Sequence, residues 1–176
     1  MRSWIIFFMC VVWISCSQNE NNQPVNVNYS EIKEPLIKHN KVEHEEEMES
    51  IKAYMKRHNW KPVTTATGIN YMIIKQGDTT QPKAKVGQVV TLNYEISLLE
   101  DSVIYSSGDE PADLVVGYDH VESGLHEAIT YLRKGDKAWI ILPSHLAFEL
   151  TGDNDMIPSG ASLLYKVEVL EIKERK

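Results

Sequence analysis

A lone cysteine behind an apolar run, and tyrosines spaced along alternating segments, are the side chains of this sequence whose type and position could do chemistry. The chain opens MRSWIIFFMCVVWISC, with Arg2 ahead of an apolar run from Trp4 to Ile14 that ends in Ser15-Cys16. The run is roughly half of the ~20 residues that a membrane-spanning helix needs, so it reads as a cleaved signal. A small residue just before a cysteine suits a signal peptidase that cuts ahead of a lipidated thioether. Cys16 is therefore expected to carry the lipid, with one departure: Trp13 stands where such tetrapeptides usually have Leu. The competing reading is an ordinary secretory signal with a chance cysteine. Cys10 lies inside the apolar run, so the exported chain would keep one thiol and form no disulfide. An anchor explains that lone thiol, and several acyl chains hold a protein to a bilayer far more firmly than one.

His39, His44, His58, His120, His126 and His145 raise the question of a metal site. No pair falls in H-x-x-x-H register on a helix and no cysteine is at hand, so no metal is expected. The acidic run Glu43 to Glu49 lacks the Gly and Asp spacing of a calcium loop and reads as a solvated helix face. With 25 acidic and 18 basic residues the net charge is −7, which argues against a phosphate-binding surface. Nucleic acid is not an expected partner.

The elements that must position these side chains divide the chain into a signal at 1–15, a tether at 16–41, a helix at 42–60 and a globular part at 61–176. The stretch after Cys16, SQNENNQPVNVNYSE, has almost nothing to bury and should stay extended. From Val42 to His58, Met48, Ile51, Tyr54 and Met55 recur at helical spacing, with acids early and Lys52, Lys56 and Arg57 late, as the helix dipole favours. This helix either packs on the domain by one narrow stripe or serves as a dimerising or docking helix. Beyond Pro62 the period becomes two. Ile69, Tyr71 and Ile73 share one face, and Val90, Leu92, Tyr94 and Ile96 alternate inward along a long strand. Short strands follow at Val103 to Ser106 and Asp113 to Val116. SGLHEAITYLRKGD forms one short helix with Ser123 as N-cap and Leu125, Ala128, Ile129 and Leu132 inward. KAWIILP is a buried strand, and ASLLYKVEVLEIKE sets Tyr165, Val167 and Val169 inward on the last strand. Five or six antiparallel strands with a single late helix imply an α+β domain whose sheet curls around that helix.

From about Thr67 to Glu174 the chain resembles the FKBP-type peptidyl-prolyl isomerases. The resemblance rests on TGINYMIIKQGD, VGQVVTLNYEISLLED, IYSSG, VESGLHEAI, LPSHLAFE and MIPSGASLLYKVEVLEI, in the family's order and with similar spacing. The helix ahead of the lead strand looks like the periplasmic FKBPs of Gram-negative bacteria. The anchor, LPSHLAFE followed by TGDND, and GLHEAI look most like the FKBP-type lipoproteins of Bacteroidetes, the group that includes gliding-motility lipoproteins. The resemblance implies an FKBP-like curled antiparallel sheet packed on one short helix and preceded by an N-terminal helix.

It also implies prolyl isomerisation, which breaks no bond and needs no nucleophile, metal or cofactor. The barrier of ~18–20 kcal/mol is amide resonance lost as the X-Pro bond twists. A twisted amide has less charge separation than a planar one and gains from a dry, aromatic-walled cradle. Matching the family's pocket position by position puts Tyr94 on the long strand and Tyr105-Ser106 where Phe-Asp is usual. Val121-Glu122 stands for Val-Ile, Leu125 for the floor Trp, Phe148 for a Tyr whose hydroxyl bonds substrate, and Tyr165 for a Phe on the last strand. Met156 and Ile157 fall where two apolar residues cover the proline, and Ala112 where a Phe is frequent. The departures at Ser106, Ala112, Leu125 and Phe148 weaken the expected catalysis and macrolide affinity.

Two functions are thus expected of this chain. One is an isomerase for proline-containing exported clients, held by Cys16 to the cell envelope, at the outer membrane facing the periplasm. The other is a catalytically weak chaperone or assembly factor for a surface machinery, using the extra helix and able to pair as a homodimer through it.

Overall fold

The computed structural model describes residues 29–100, 102–149 and 151–175. The expected signal and the lipidated Cys16 lie outside the described residues. Helix α1 (Tyr29–Arg57) leads, followed by β1 (Val63–Thr64), β2 (Asn70–Lys75), β3 (Gln88–Leu98), β4 (Val103–Ser106) and β5 (Ala112–Val115). Helix α2 (Ser123–Ile129), β6 (Lys137–Leu142), a 3₁₀ turn (Ser144–Leu146) and β7 (Leu163–Glu174) complete the order. The fold is α+β.

Helix α1 corrects the expected tether, because it begins at Tyr29 and not near Val42. The Asn-rich part of the sequence ends at Asn28, and half of the segment SEIKEPLIKHNK from Ser30 on is Glu, Lys and Leu, good helix formers. Ion pairs one turn apart add to it, at 3.1 Å for His39–Glu43 and 3.8 Å for Lys41–Glu45. Pro35 sits inside the helix, where its missing N–H removes one backbone hydrogen bond. From Ile37 to Glu46 every residue is exposed, and none of them belongs to the buried core.

The strands form one antiparallel sheet in the order β1-β2-β6-β7-β3-β4, with β5 also paired to β3. β3 is the hub. It pairs with β7 along its whole length, and its other edge is shared by β5 opposite Val89–Leu92 and β4 opposite Glu95–Ser97. At β6 both faces of the sheet are covered, which explains its unbroken apolar run. Ala138, Ile140 and Leu142 point into the main core with α2, while Trp139 and Ile141 point the other way. On that second face α1 seats Ile51 and Tyr54 against Trp60, Ile141 and Leu164. Burying a side chain such as Ile51, which has no exposed surface, contributes about 1.5–3 kcal/mol. The helix therefore packs on the domain by one stripe at its C-terminal end.

Helix α2 buries Gly124, Leu125, Ala128 and Ile129, as its spacing required. Its N-cap is Glu122 and not the expected Ser123, and no side chain caps it. The Glu122 carboxylate is committed elsewhere, to a tyrosine on β7.

Candidate active site

Three elements converge where α2 enters the core. The first is the β3–β4 pair, in which Ile96 lies opposite both Tyr105 on β4 and Tyr165 on β7, so the two rings share the core-facing side with Tyr94. The second is the segment leading into α2. Asp119 Oδ2 accepts the N–H of Val115 at 2.7 Å, and His126 Nδ1 accepts the N–H of Gly117 at 2.8 Å while Nε2 lies 3.0 Å from the Asp119 carbonyl. These bonds hold the turn that carries Val121 and Glu122. The third is the loop after β6. A Cβ on Gly124 would stand 2.8 Å from the carbonyl oxygen of Leu146, so only glycine lets this loop, with Ala147 and Phe148, close on the start of α2.

Between them lies a cavity of about 670 Å³ lined by Tyr94, Tyr105, Ser106, Val121, Glu122, Leu125, Phe148 and Tyr165, with Ala112 also on its wall. Leu125 and Tyr165 are buried, Tyr94, Tyr105 and Phe148 are half-buried, and Val121 and Ser106 are exposed. Residues scattered over some seventy positions of sequence meet in one hollow of the size that holds small ligands, about 300–1,000 Å³. Ile157 is not on the wall of this hollow but is buried in the same core cluster as Leu125 and Tyr165, while Met156 is exposed.

The reason is Asp153, which sequence reasoning missed. Its Oδ1 accepts the N–H groups of Asp155 at 2.9 Å and Ile157 at 2.8 Å, folding the 153–157 loop around itself. Gly152 makes room, with φ +65° and a carbonyl of Ile157 only 2.2 Å from where a Cβ would sit. Asp153 Oδ2 accepts the Tyr105 hydroxyl at 2.5 Å. Ser106 lacks the carboxylate usual at its place, and Asp153 brings one to the neighbouring ring from 48 positions away. The repeated acids of TGDND were the signal, but only the closed loop shows which ring they serve.

A second phenol is paired in the same way. Tyr165 donates to Glu122 Oε1 at 2.6 Å, both side chains being buried. Burial pushes the Tyr165 phenol far above its ordinary 10, with the Glu122 charge adding to the shift. Tyr105 is pushed up to about 12, chiefly by its bond to Asp153, and the same bond holds the Asp153 carboxyl below its usual value. Both phenols thus stay neutral at physiological pH and have their protons committed to carboxylates. Phe148 has no donor. Rings and aliphatic side chains form most of the cavity wall, with Asp113, Asp119 and His120 also on it.

Among the described residues, His44, Glu47 and His145 bring possible metal-ligand atoms within 4.8 Å of one another, well outside this cavity.

A family model for FKBP-type peptidyl-prolyl cis-trans isomerase matches residues 80–170, just over half of the chain and every residue of the cavity wall. The chain belongs to that family. Among relatives, the probable FKBP-type peptidyl-prolyl cis-trans isomerase FkpA of Neisseria meningitidis serogroup B is 33% identical over 109 residues, 62% of this chain and 39% of its own length. FkpA of Buchnera aphidicola subsp. Schizaphis graminum is 28% identical over 166 residues, 91% of this chain and 65% of its own length. This FKBP-type chain therefore spans less than two thirds of either relative. The crystal structure of FkpA from Escherichia coli is similar with a TM-score of 0.64 at 23% identity, over 85% of this chain and 75% of that one. That likeness extends to the fold.

Proposed function

We propose that this FKBP-type chain is a peptidyl-prolyl cis-trans isomerase that assists the folding of exported proteins at the cell envelope, tethered through a lipid on Cys16. The carrying observation is that Tyr94, Tyr105, Phe148 and Tyr165 wall one cavity over Leu125. A proline ring stacks on such walls, and the X-Pro amide beside it loses water. The twisted amide, with less charge separation than the planar one, gains more from that dry surface than the ground state does. Each tenfold of rate requires about 1.36 kcal/mol of such preference, which aromatic packing supplies without a nucleophile or cofactor. Residues 61–176 would form the isomerase domain, with 16–28 as the tether and the exposed half of α1 standing between bilayer and domain.

The test is a refolding reaction limited by prolyl isomerisation. Micromolar protein is expected to accelerate it and Tyr105→Ala to remove most of the acceleration with the fold intact. No acceleration by the wild type would end the catalytic reading.

A second reading has its own observation. The stretch Ile37 to Glu46 of α1 is exposed all round and carries Ile37 and Val42 at 55% and 43% exposure. Such a helix suits client holding or pairing with a second copy, as a chaperone or assembly factor would use it. Deleting residues 29–43 is expected to abolish aggregation suppression and leave the isomerase rate unchanged.

A further inference from the structure

The strongest unassigned cluster lies where α1 crosses the loop after β6. His44 and Glu47 sit one turn apart on α1, and His145 stands in the 3₁₀ turn some hundred positions later. Their nearest ligand atoms all lie within 4.8 Å of one another, and the two imidazole rings meet edge to face with centroids 6.1 Å apart. They line a second hollow of about 940 Å³ that shares no residue with the cavity described above.

Two features suit these groups to a metal rather than to a chance surface contact. Glu47 is already held: its Oε1 accepts the backbone N–H of Ser144 at 2.5 Å and the hydroxyl of Ser162 at 2.6 Å. Its other oxygen, Oε2, is left facing His44 Nδ1 at 3.9 Å, with the carboxylate side chain only 12% exposed. His145 Nε2 lies 3.3 Å from the carbonyl oxygen of Thr67. In the tautomer that donates this bond, Nδ1 carries the lone pair, the arrangement by which an outer carbonyl fixes a metal-binding imidazole.

We propose that His44, Glu47 and His145 form a site for a divalent transition-metal ion such as Zn²⁺, which clamps α1 onto the isomerase domain. Two imidazoles and one carboxylate match zinc and its neighbours, whereas calcium and magnesium take oxygen ligands. Tetrahedral bonds of about 2.0–2.1 Å require ligand atoms about 3.3 Å apart, so the triad closes by about 1.5 Å on the ion. His44, with 57% of its side chain exposed, has the freedom to make that movement. The fourth position opens to the hollow and takes water. His145 is three residues from Phe148 on the same loop, so the ion also stiffens one wall of the aromatic cavity.

The test uses the full chain carrying Cys10→Ser and Cys16→Ser, so that no thiol competes, and Zn²⁺ alone as the probe. Competition with a chromophoric chelator is expected to show one equivalent bound with micromolar or tighter affinity. His44→Ala and His145→Ala should each weaken it at least tenfold, while His39→Ala, at the exposed His39–Glu43 pair of the same helix, should not. Zinc should raise the melting temperature of the parent chain and leave that of the His44→Ala/His145→Ala double variant unmoved. No uptake at hundred-micromolar zinc, or equal uptake by the parent and the double variant, would overturn the proposal. Both readouts are independent of isomerase activity and stand whether or not the chain accelerates prolyl isomerisation.

Discussion

Replacing Tyr165 by Phe removes one oxygen atom and leaves the Glu122 carboxylate buried without its donor. Tyr165 is 2% exposed and Glu122 8%, and their bond is 2.6 Å long, so the carboxylate loses its protein donor in a largely buried position. Hydrogen bonds to charged groups are worth about 1.5–3 kcal/mol, and Tyr165→Phe is expected to cost about 2 kcal/mol. For a domain of this size that lowers the melting temperature by about 4–8 °C. Glu122→Ile alone strands the tyrosine hydroxyl and is expected to cost about 1–3 kcal/mol. The double variant strands neither group and should regain most of the loss, giving a coupling of about 2 kcal/mol in a double-mutant cycle. Urea unfolding followed by circular dichroism reads all four chains. The double variant also makes the cavity more apolar, so its isomerase rate should equal or exceed that of the parent. Additive losses, or a Tyr165→Phe effect within about 0.5 kcal/mol of zero, would refute a buried, mutually dependent pair.

Asp153→Asn removes the carboxylate that keeps Tyr105 protonated. A phenolate absorbance titration should show one tyrosine falling from about 12 toward the ordinary 10. Because the folded phenol is raised, its contribution to stability is present below about pH 10 and lost as pH climbs through 12. The lowered Asp153 contributes above the ordinary carboxylate range and is lost as pH falls through it, so the variant should lose part of the pH dependence at both ends. Ile51→Ala opens a hole between α1 and the sheet and should cost about 2–5 kcal/mol, with amide exchange rising first in α1. Palmitate labelling in cells should follow Cys16 and vanish in Cys16→Ala; labelling that survives removes the anchor.

Periodicity located β3, β7 and, with its flanking Ser123 and Gly135, α2, while an apolar run stopped by Pro143 located β6. Tyr94 and Tyr165 were legible as inward residues from the alternation of β3 and β7, and the family motifs tied them to Tyr105, Val121, Leu125 and Phe148. The start of α1 was not legible. The described side chains from Ile37 to Glu46 are all exposed, so no buried apolar stripe marks this part, and the Asn-rich sequence before it hides where helix-forming residues begin. The burial of Ile157 likewise depends on a loop closed by Asp153, a contact that no local pattern encodes.

What the sequence by itself determined is therefore the long strands and the short helix, though five or six strands were expected where seven form, the face that each turns inward and the aromatic character of the site, since these follow from spacing and side-chain type. Tertiary structure alone decided which polar groups meet across long stretches of chain. Tyr105 with Asp153, Tyr165 with Glu122, and His44 and Glu47 with His145 are 48, 43 and about a hundred positions apart. A carboxylate looks the same in sequence whether it faces water or a buried phenol. Its partner is set by how the sheet curls and where the loops close, and with the partner come its charge, its energetic cost and its use.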